Sequence, residues 1–273
     1  MKQFGFIGMG NMAKALAQGF ITAGVLQKEQ VFAYAPNQEK LKKNAQEIGF
    51  TPVSSLQELA DTCDTLIVAC KPYQIETVLA EISGKLGGKV LLSVAAGWDY
   101  AKYETKLADL GVDAANMPRI QFIMPNTPAM VSEGVLLFEE KNSLTSAESE
   151  KVREMFTTLG IVEVLPSHLM GIGGAVSGCG PAFVDVMMEA YADAAVKYGI
   201  QRDTAYRLVA QMVLGSAKLQ QQTGLHPGVL KDQVCSPGGT TIRGVAALEE
   251  NGFRNACISS IDAIMCAKQN ESK

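Results

Sequence analysis

Residues 2–13 read Lys2-Gln3-Phe4-Gly5-Phe6-Ile7-Gly8-Met9-Gly10-Asn11-Met12-Ala13, and the fold follows from how this stretch divides. Lys2–Gly8 is a short apolar run, the pattern of a strand buried on both faces. From Asn11 to Ala23 apolar residues recur at helical spacing. Between strand and helix, Gly8, Gly10 and Ala13 fall in the spacing G-x-G-x-x-A. Gly8 permits a tight turn. Gly10 lets the backbone approach a pyrophosphate, and Ala13 lets helix and strand pack closely. The N–H groups and positive dipole end of the helix then face the phosphates. Gly8, Met9, Gly10, Asn11, Met12 and Ala13 are therefore read as a dinucleotide-binding turn.

Outward from this turn the same alternation continues. Gln30–Ala35 reads as a second strand, and Asn37–Ile48 as a charged helix capped by Asn37. Asp64–Cys70 and Lys89–Val94 are two more near-continuous apolar runs. Gln121–Met124 and Gly134–Phe138 add strands across a Pro-rich turn, followed by a helix over Ser146–Leu159 and a strand over Ile161–Leu165. Such runs suit an α/β domain with a mostly parallel, Rossmann-like sheet and helices on both faces. Beyond Pro166 the pattern turns all-helical. Ala182–Tyr198, with Pro181 at its first turn, and Arg202–Thr223 are long helices; Gly228–Val234, Thr241–Glu250 and Phe253–Lys268 are shorter ones. The expected organisation is a dinucleotide-binding domain over 1–166 and an all-helical substrate-binding and dimerisation domain over 167–273.

Composition narrows the function classes. The chain has 273 residues, 47% apolar and 19% charged, with a net charge of −4; this fits a folded globular protein and not a disordered or fibrous one. A mild negative charge disfavours nucleic-acid binding, which needs a basic stripe. No stretch approaches the roughly 20 apolar residues that span a bilayer, so no membrane partner is expected. Glycines interrupt the apolar residues near the start, and no small-residue cleavage site follows, so a signal peptide is not expected either. Six scattered cysteines form no C-x-x-C pair, and only His168 and His226 are present. No metal site follows, and a reduced, cytoplasmic setting does.

The end of the second strand addresses which nucleotide fits. An NAD site places a carboxylate there to take the ribose hydroxyls. Here the strand runs into Ala35-Pro36-Asn37, and no carboxylate appears before Glu39. Asn37 donates to a 2′-phosphate in this reading, and Lys40 adds a positive charge. NADP(H) is the preferred cofactor, with NAD(H) an open alternative. Ala69, Lys71 and Pro72 follow one later strand, and Ala95 and Gly97 another. Both strand ends deliver loops to the ligand crevice of a parallel sheet. Pro125 and Asn126, in the rigid loop Met124–Ala129, suit the placing of a flat nicotinamide ring.

Two Gly-rich segments mark the helical half. Ser177-Gly178-Cys179-Gly180-Pro181-Ala182 precedes one long helix and reads as a tight backbone with N–H groups turned to one spot. Ser236-Pro237-Gly238-Gly239-Thr240-Thr241 opens another helix, and its N–H and hydroxyl donors suit a carboxylate. Either segment also serves as a plain helix cap. No acid–base team, Ser-His-Asp set or H-E-x-x-H string is present, which fits hydride transfer by a cofactor.

Taken together and in order, Gly8–Ala13, Cys70-Lys71-Pro72, Ser93–Gly97, Met124–Ala129, Ser177–Ala182 and Ser236–Ile242 resemble the pyrroline-5-carboxylate reductase family, along nearly the whole chain. The resemblance implies NAD(P)H-dependent reduction of the C=N bond of 1-pyrroline-5-carboxylate to L-proline, the last step of proline biosynthesis. It implies a helical domain that interlocks with a partner's into a homodimer, often within a larger ring such as a decamer, and a substrate site between one subunit's cofactor domain and the helical dimer. Ser177, Ser236, Gly238, Gly239, Thr240 and Thr241 are the implied substrate contacts. Thr241, hydrogen-bonded to the ring nitrogen, is the implied catalytic residue. The chain departs from the family pattern at Phe122, where Arg is usual, at Cys179, where many members have Ser, and at Leu225, where many have an acidic residue. Arg119 lies three residues before Phe122 and does not replace the missing Arg without a bulge. Of the alternatives, a β-hydroxyacid dehydrogenase needs Lys followed four residues later by Asn. Lys197 and Lys218 are followed by Gln201 and Gln222 instead. A non-catalytic NADP-binding sensor would keep the first glycine turn and have no need of the Gly-Gly-Thr-Thr turn.

Overall fold

The computed structural model describes residues 3–271. Lys2, the first residue of the expected first strand, and the last two residues of the expected second domain lie outside them. The chain divides into two compact units, Met1–Gly178 and Cys179–Lys273.

The first unit opens with β1 (Phe4–Ile7), α1 (Asn11–Thr22), β2 (Val31–Tyr34), α2 (Gln38–Ile48) and the two-residue β3 (Thr51–Pro52). Next come α3 (Leu56–Thr62), β4 (Thr65–Val68), α4 (Ile75–Ile82), β5 (Val90–Ser93) and α5 (Tyr100–Asp109). The unit continues with β6 (Arg119–Met124), β7 (Gly134–Glu139), α6 (Ser146–Thr157), β8 (Gly160–Leu165) and α7 (Met170–Gly174). One eight-stranded sheet runs β3-β2-β1-β4-β5-β6-β7-β8. Every pair is parallel except β6 with β7. The exception has a local cause. A single 3-10 turn, Thr127–Val131, joins those two strands, and a parallel return needs a longer crossover.

β1, β4 and β5 are buried at every position, as apolar runs between two helical layers must be. One layer packs Phe20, Phe138 and Phe156 edge to face, with ring centroids 5.1 and 5.5 Å apart. The other centres on Leu59, Leu79, Tyr103 and Leu107. From β1 the chain builds outward to β2 and β3, then returns to place β4 on the other side of β1. This reversal leaves a crevice at the carboxyl ends of β1 and β4.

The second unit is α8 (Gly180–Lys197), α9 (Arg202–Thr223), α10 (Pro227–Gln233), α11 (Thr240–Glu250) and α12 (Phe253–Glu271). Among its described residues only Ala192, Ala205 and Val209 are buried apolar side chains. α9 turns Ala205 and Val209 toward α8 and leaves Leu208, Met212 and Leu219 exposed on another stripe. The expected absence of a bilayer-length segment is corrected here. α8 is continuous with the helical turns before it, and the run Ser167–Lys197 is long and apolar enough to cross a membrane by length and composition alone. Its glycines hide this length in the sequence, because Gly-rich stretches read as breaks.

Candidate active site

The crevice is built by close approach of backbones. Gly8 adopts φ +93°, a conformation that favours glycine. A Cβ added there would lie 2.8 Å from Cys70 N and 2.9 Å from Cys70 Cα. The turn after β1 thus lies against the end of β4, and Gly8 N donates to Tyr34 O at 2.8 Å to carry the ladder into the turn. Gly10, the N-cap of α1, has φ −80° and ψ −173°, with nothing within 4 Å of its Cβ direction. Its openness is therefore not required by the fold. No side chain caps α1, and no acidic residue stands in its first turn, so its N–H groups are offered to an anion. Met9 and Ala13 are buried, the latter in the core beneath the helix.

Around this turn, Asn37 caps α2: its Oδ1 accepts from Lys40 N at 2.9 Å. The cap uses the carbonyl end of the amide. Pro36, Asn37 and Lys40 are exposed, and Glu39 lies inside α2. No carboxylate stands at the end of β2. After β4, Ala69 N donates to Ile7 O at 2.9 Å, Lys71 N to Gln74 Oε1 at 3.2 Å, and Pro72 opens a 3-10 turn. After β5, Ala95 is buried and Gly97 exposed, and the Lys102 ammonium donates to the Gly97 carbonyl. After β6, Pro125 and Asn126 are buried, and Asn126 bonds to Val135 N and Ser177 O. The first unit thus brings the turns after β1, β2, β4, β5 and β6 to the carboxyl edge of the sheet.

Two buried titratable groups, Cys70 and Tyr103, lie near this edge. Burial pushes the Cys70 thiol up to about 11 and holds the Tyr103 phenol well above its ordinary range. Neither is a neutral-pH proton donor or nucleophile of useful strength. Among the described residues, no three His, Cys, Asp or Glu side chains group as a metal site.

In the second unit, Ser236, Gly238, Gly239, Thr240 and Thr241 stand together at the start of α11. Gly239 N closes a turn onto Ser236 O at 3.0 Å, and Gly239 is the N-cap with no side-chain cap. Ser236, Thr240 and Thr241 are exposed. This is a helix opening with unpaired N–H groups and three hydroxyls. Ser177 belongs to the first unit. The reading of Ser177–Ala182 as a turn before a helix is corrected: Ala175–Cys179 is a π turn inside a helical run. Ser177 Oγ bonds back to Gly173 O at 2.9 Å. Sequence reasoning also missed the fixing of the Asn126 side chain. Pro181, four residues beyond Ser177 and without an N–H, was the signal for it.

Two family descriptions match this chain: pyrroline-5-carboxylate reductase dimerisation over residues 167–271, and NADP oxidoreductase coenzyme F420-dependent over residues 3–97. Pyrroline-5-carboxylate reductase of Treponema pallidum is 44% identical over 96% of this chain and 98% of its own length. The chain belongs to the pyrroline-5-carboxylate reductase family. The Escherichia coli pyrroline-5-carboxylate reductase is 38% identical over 100% of this chain and 99% of that protein. The structure is similar to that of Plasmodium falciparum pyrroline carboxylate reductase with NADP bound, at a TM-score of 0.85 and 33% identity, over 98% of this chain and 96% of that one. The Coxiella burnetii pyrroline-5-carboxylate reductase gives a TM-score of 0.87 at 27% identity, over 100% and 99%.

Of the positions read as departures from the family pattern, Phe122 has a local explanation in its packing. Phe122 is buried against Leu137 and Met170, a site that would strand an Arg charge. Arg119 is held at the far end of β6, where its Nε donates to both Glu148 oxygens at 2.9 and 2.7 Å, and it does not reach the loop after that strand. Leu225 follows the α9 C-cap and is exposed.

Proposed function

We propose that this chain reduces the C=N bond of 1-pyrroline-5-carboxylate to give L-proline, with NADPH as preferred hydride donor and NADH as an open alternative. The observation that carries the reading is the full-length 44% identity to a pyrroline-5-carboxylate reductase, supported by a cradle whose residues fit a dinucleotide. When bound, the reduced nicotinamide supplies the hydride for the imine carbon. Gly8, Met9, Gly10, Asn11, Met12 and Ala13 hold the pyrophosphate at the start of α1. Asn37 and Lys40 take the 2′-phosphate. Ala69, Lys71, Pro72, Ala95, Gly97, Pro125 and Asn126 shape the place of the ribose and nicotinamide. Ser177, Ser236, Gly238, Gly239 and Thr240 receive the substrate, with the carboxylate on the N–H groups that open α11.

Thr241 hydrogen-bonds the ring nitrogen. A hydroxyl has no useful pKa near neutrality, so with a neutral imine Thr241 orients or relays a proton from water to the nitrogen, and with an iminium, which already carries that proton, it only orients the ring. The domain assignment follows the same reading: 1–166 binds the dinucleotide, and 167–273 binds substrate and dimerises. Exposed Val186, Leu208, Met212 and Leu214 supply the apolar surface of a homodimer. The dimer builds toward a larger ring such as a decamer, in a cytoplasmic setting with no membrane or nucleic-acid partner.

The test follows the loss of reduced-cofactor absorbance with 1-pyrroline-5-carboxylate, with NADPH and NADH in parallel. Turnover that favours NADPH is expected. Turnover that favours NADH overturns the reading of Asn37 and Lys40. Absence of turnover in a protein that binds NADPH overturns the substrate.

A further inference from the structure

Asn126 is the second residue of the loop after β6 and is 5% exposed. Both ends of its amide are committed inside the first unit. Oδ1 accepts from Val135 N at 2.8 Å, and Nδ2 donates to the Ser177 carbonyl at 2.9 Å. The partners fix the orientation, because one is a donor and the other an acceptor. Ser177 lies in the π turn Ala175–Cys179. In a regular helix its carbonyl would accept from the N–H four residues later. That residue is Pro181, which has none. The sequence thus creates a carbonyl that its own helix cannot pair in the α-helical manner, and the Asn126 amide reaches it from a separate loop. Only a side chain of this length with a donor at one end and an acceptor at the other serves both partners.

We propose that Asn126 is a positioning residue. Its amide ties the loop Pro125–Ala129, assigned above to the nicotinamide, to the π turn that carries Ser177, assigned above to the substrate. The two segments thereby keep one spacing. The proposal rests on the reductase reading for its consequence in catalysis, and on hydrogen-bond geometry alone for the link itself. Asn126 then shapes the nicotinamide place by holding the loop, and Pro181 is the reason an asparagine is needed.

The test is a double-mutant cycle of Asn126→Asp and Pro181→Ala in the full-length protein. Asn126→Asp keeps the acceptor facing Val135 and sets an oxygen against the Ser177 carbonyl. Pro181→Ala supplies the missing N–H. With Asn126→Asp, kcat is expected to fall on the order of 10–100-fold, with the NADPH dissociation constant within about twofold of wild type. Amide exchange across 170–182 is expected to rise about tenfold or more. In the Pro181→Ala background both effects of Asn126→Asp shrink by a factor of about three or more. Equal effects in the two backgrounds, unchanged exchange, or a cofactor affinity that falls in step with kcat overturns the proposal. If Asn126→Asp alone does not fold, the double variant is expected to fold, and its failure also overturns the proposal. Exchange is read without substrate. A wild-type protein inert toward the pyrroline therefore overturns the function alone, while the coupled exchange still decides the link.

Discussion

Gly8 and Gly10 stand two residues apart in the same turn, yet the geometry assigns them different duties, and alanine at each separates binding from folding. At Gly10 the backbone is one any residue adopts, and no atom lies within 4 Å of the added methyl. Alanine narrows the unfolded ensemble, which stabilises by about 0.4–1 kcal/mol. It is also a poorer N-cap than glycine by a comparable amount, about 0.5–1 kcal/mol. The two nearly cancel, so Gly10→Ala is expected to melt within about 2 °C of wild type. The methyl nevertheless fills the space through which a pyrophosphate approaches the backbone, and NADPH affinity should fall on the order of 100-fold. At Gly8 the φ of +93° costs an L-residue about 1–2 kcal/mol. The methyl also meets Cys70 backbone atoms at 2.8 and 2.9 Å, which cannot swing away as a side chain would, and such overpacking costs about 1–3 kcal/mol. Gly8→Ala should therefore lose about 2–5 kcal/mol and lower Tm by roughly 5–15 °C. Fluorescence titration with NADPH and a thermal melt on both variants read the two effects. Unimpaired NADPH binding by Gly10→Ala, or a wild-type melt for Gly8→Ala, would refute this division.

Thr241→Val should lower kcat about 10–100-fold with little change in melt or NADPH binding; unchanged turnover removes the role given to Thr241. Lys40→Glu should raise KM for NADPH severalfold and leave KM for NADH nearly unchanged, and equal effects on both cofactors would detach Lys40 from the 2′-phosphate. Burial works to raise the Glu148 pKa, but hydrogen bonds from Arg119 and Thr145 outweigh it and hold the carboxyl below its usual value. A depressed carboxyl stabilises the fold above its unfolded pKa, and the benefit is lost as pH falls through the folded value. Glu148→Gln should thus cost about 1 kcal/mol at pH 7 and progressively less below about pH 4, measured by urea denaturation; a pH-independent difference contradicts the ion pair. Leu208→Asp with Met212→Asp should convert dimer to monomer in sedimentation velocity, and a wild-type monomer would contradict the apolar-face argument outright.

The strands were legible because each has a one-sided cause. Phe4–Ile7, Thr65–Val68 and Val90–Ser93 lie in near-continuous apolar runs, each preceded by a polar residue (Gln3, Asp64, Lys89), and the structure trims the expected ends by one or two residues. The cap of α2 by Asn37 was legible for the same reason, since a side-chain acceptor ahead of a charged helix has few other uses. What the sequence left hidden depends on partners remote in the chain. Ser177–Ala182 holds two glycines and a proline and looks like a break; bonds within α7, the π turn and α8 carry the helix through it. The rigid loop Met124–Ala129, with its two prolines, is legible at Asn126, but the groups that its amide bonds are not. Those groups, on Val135 and Ser177, stand 9 and 51 residues away.

The scarcity of buried side chains in α8–α12 bears on how the protein responds to its own concentration. A helix pair that hides only Ala192, Ala205 and Val209 has little hydrophobic stabilisation within one chain, so in the proposed dimer the rest comes from a second chain. Folding of that half is then a bimolecular event, whereas the eight-stranded sheet with its two apolar layers completes within one molecule. Dilution acts on the helices as a denaturant does, and its midpoint rises with protein concentration. During synthesis the nucleotide-binding half can be finished and able to take up NADPH while the helices behind it still wait for a second chain.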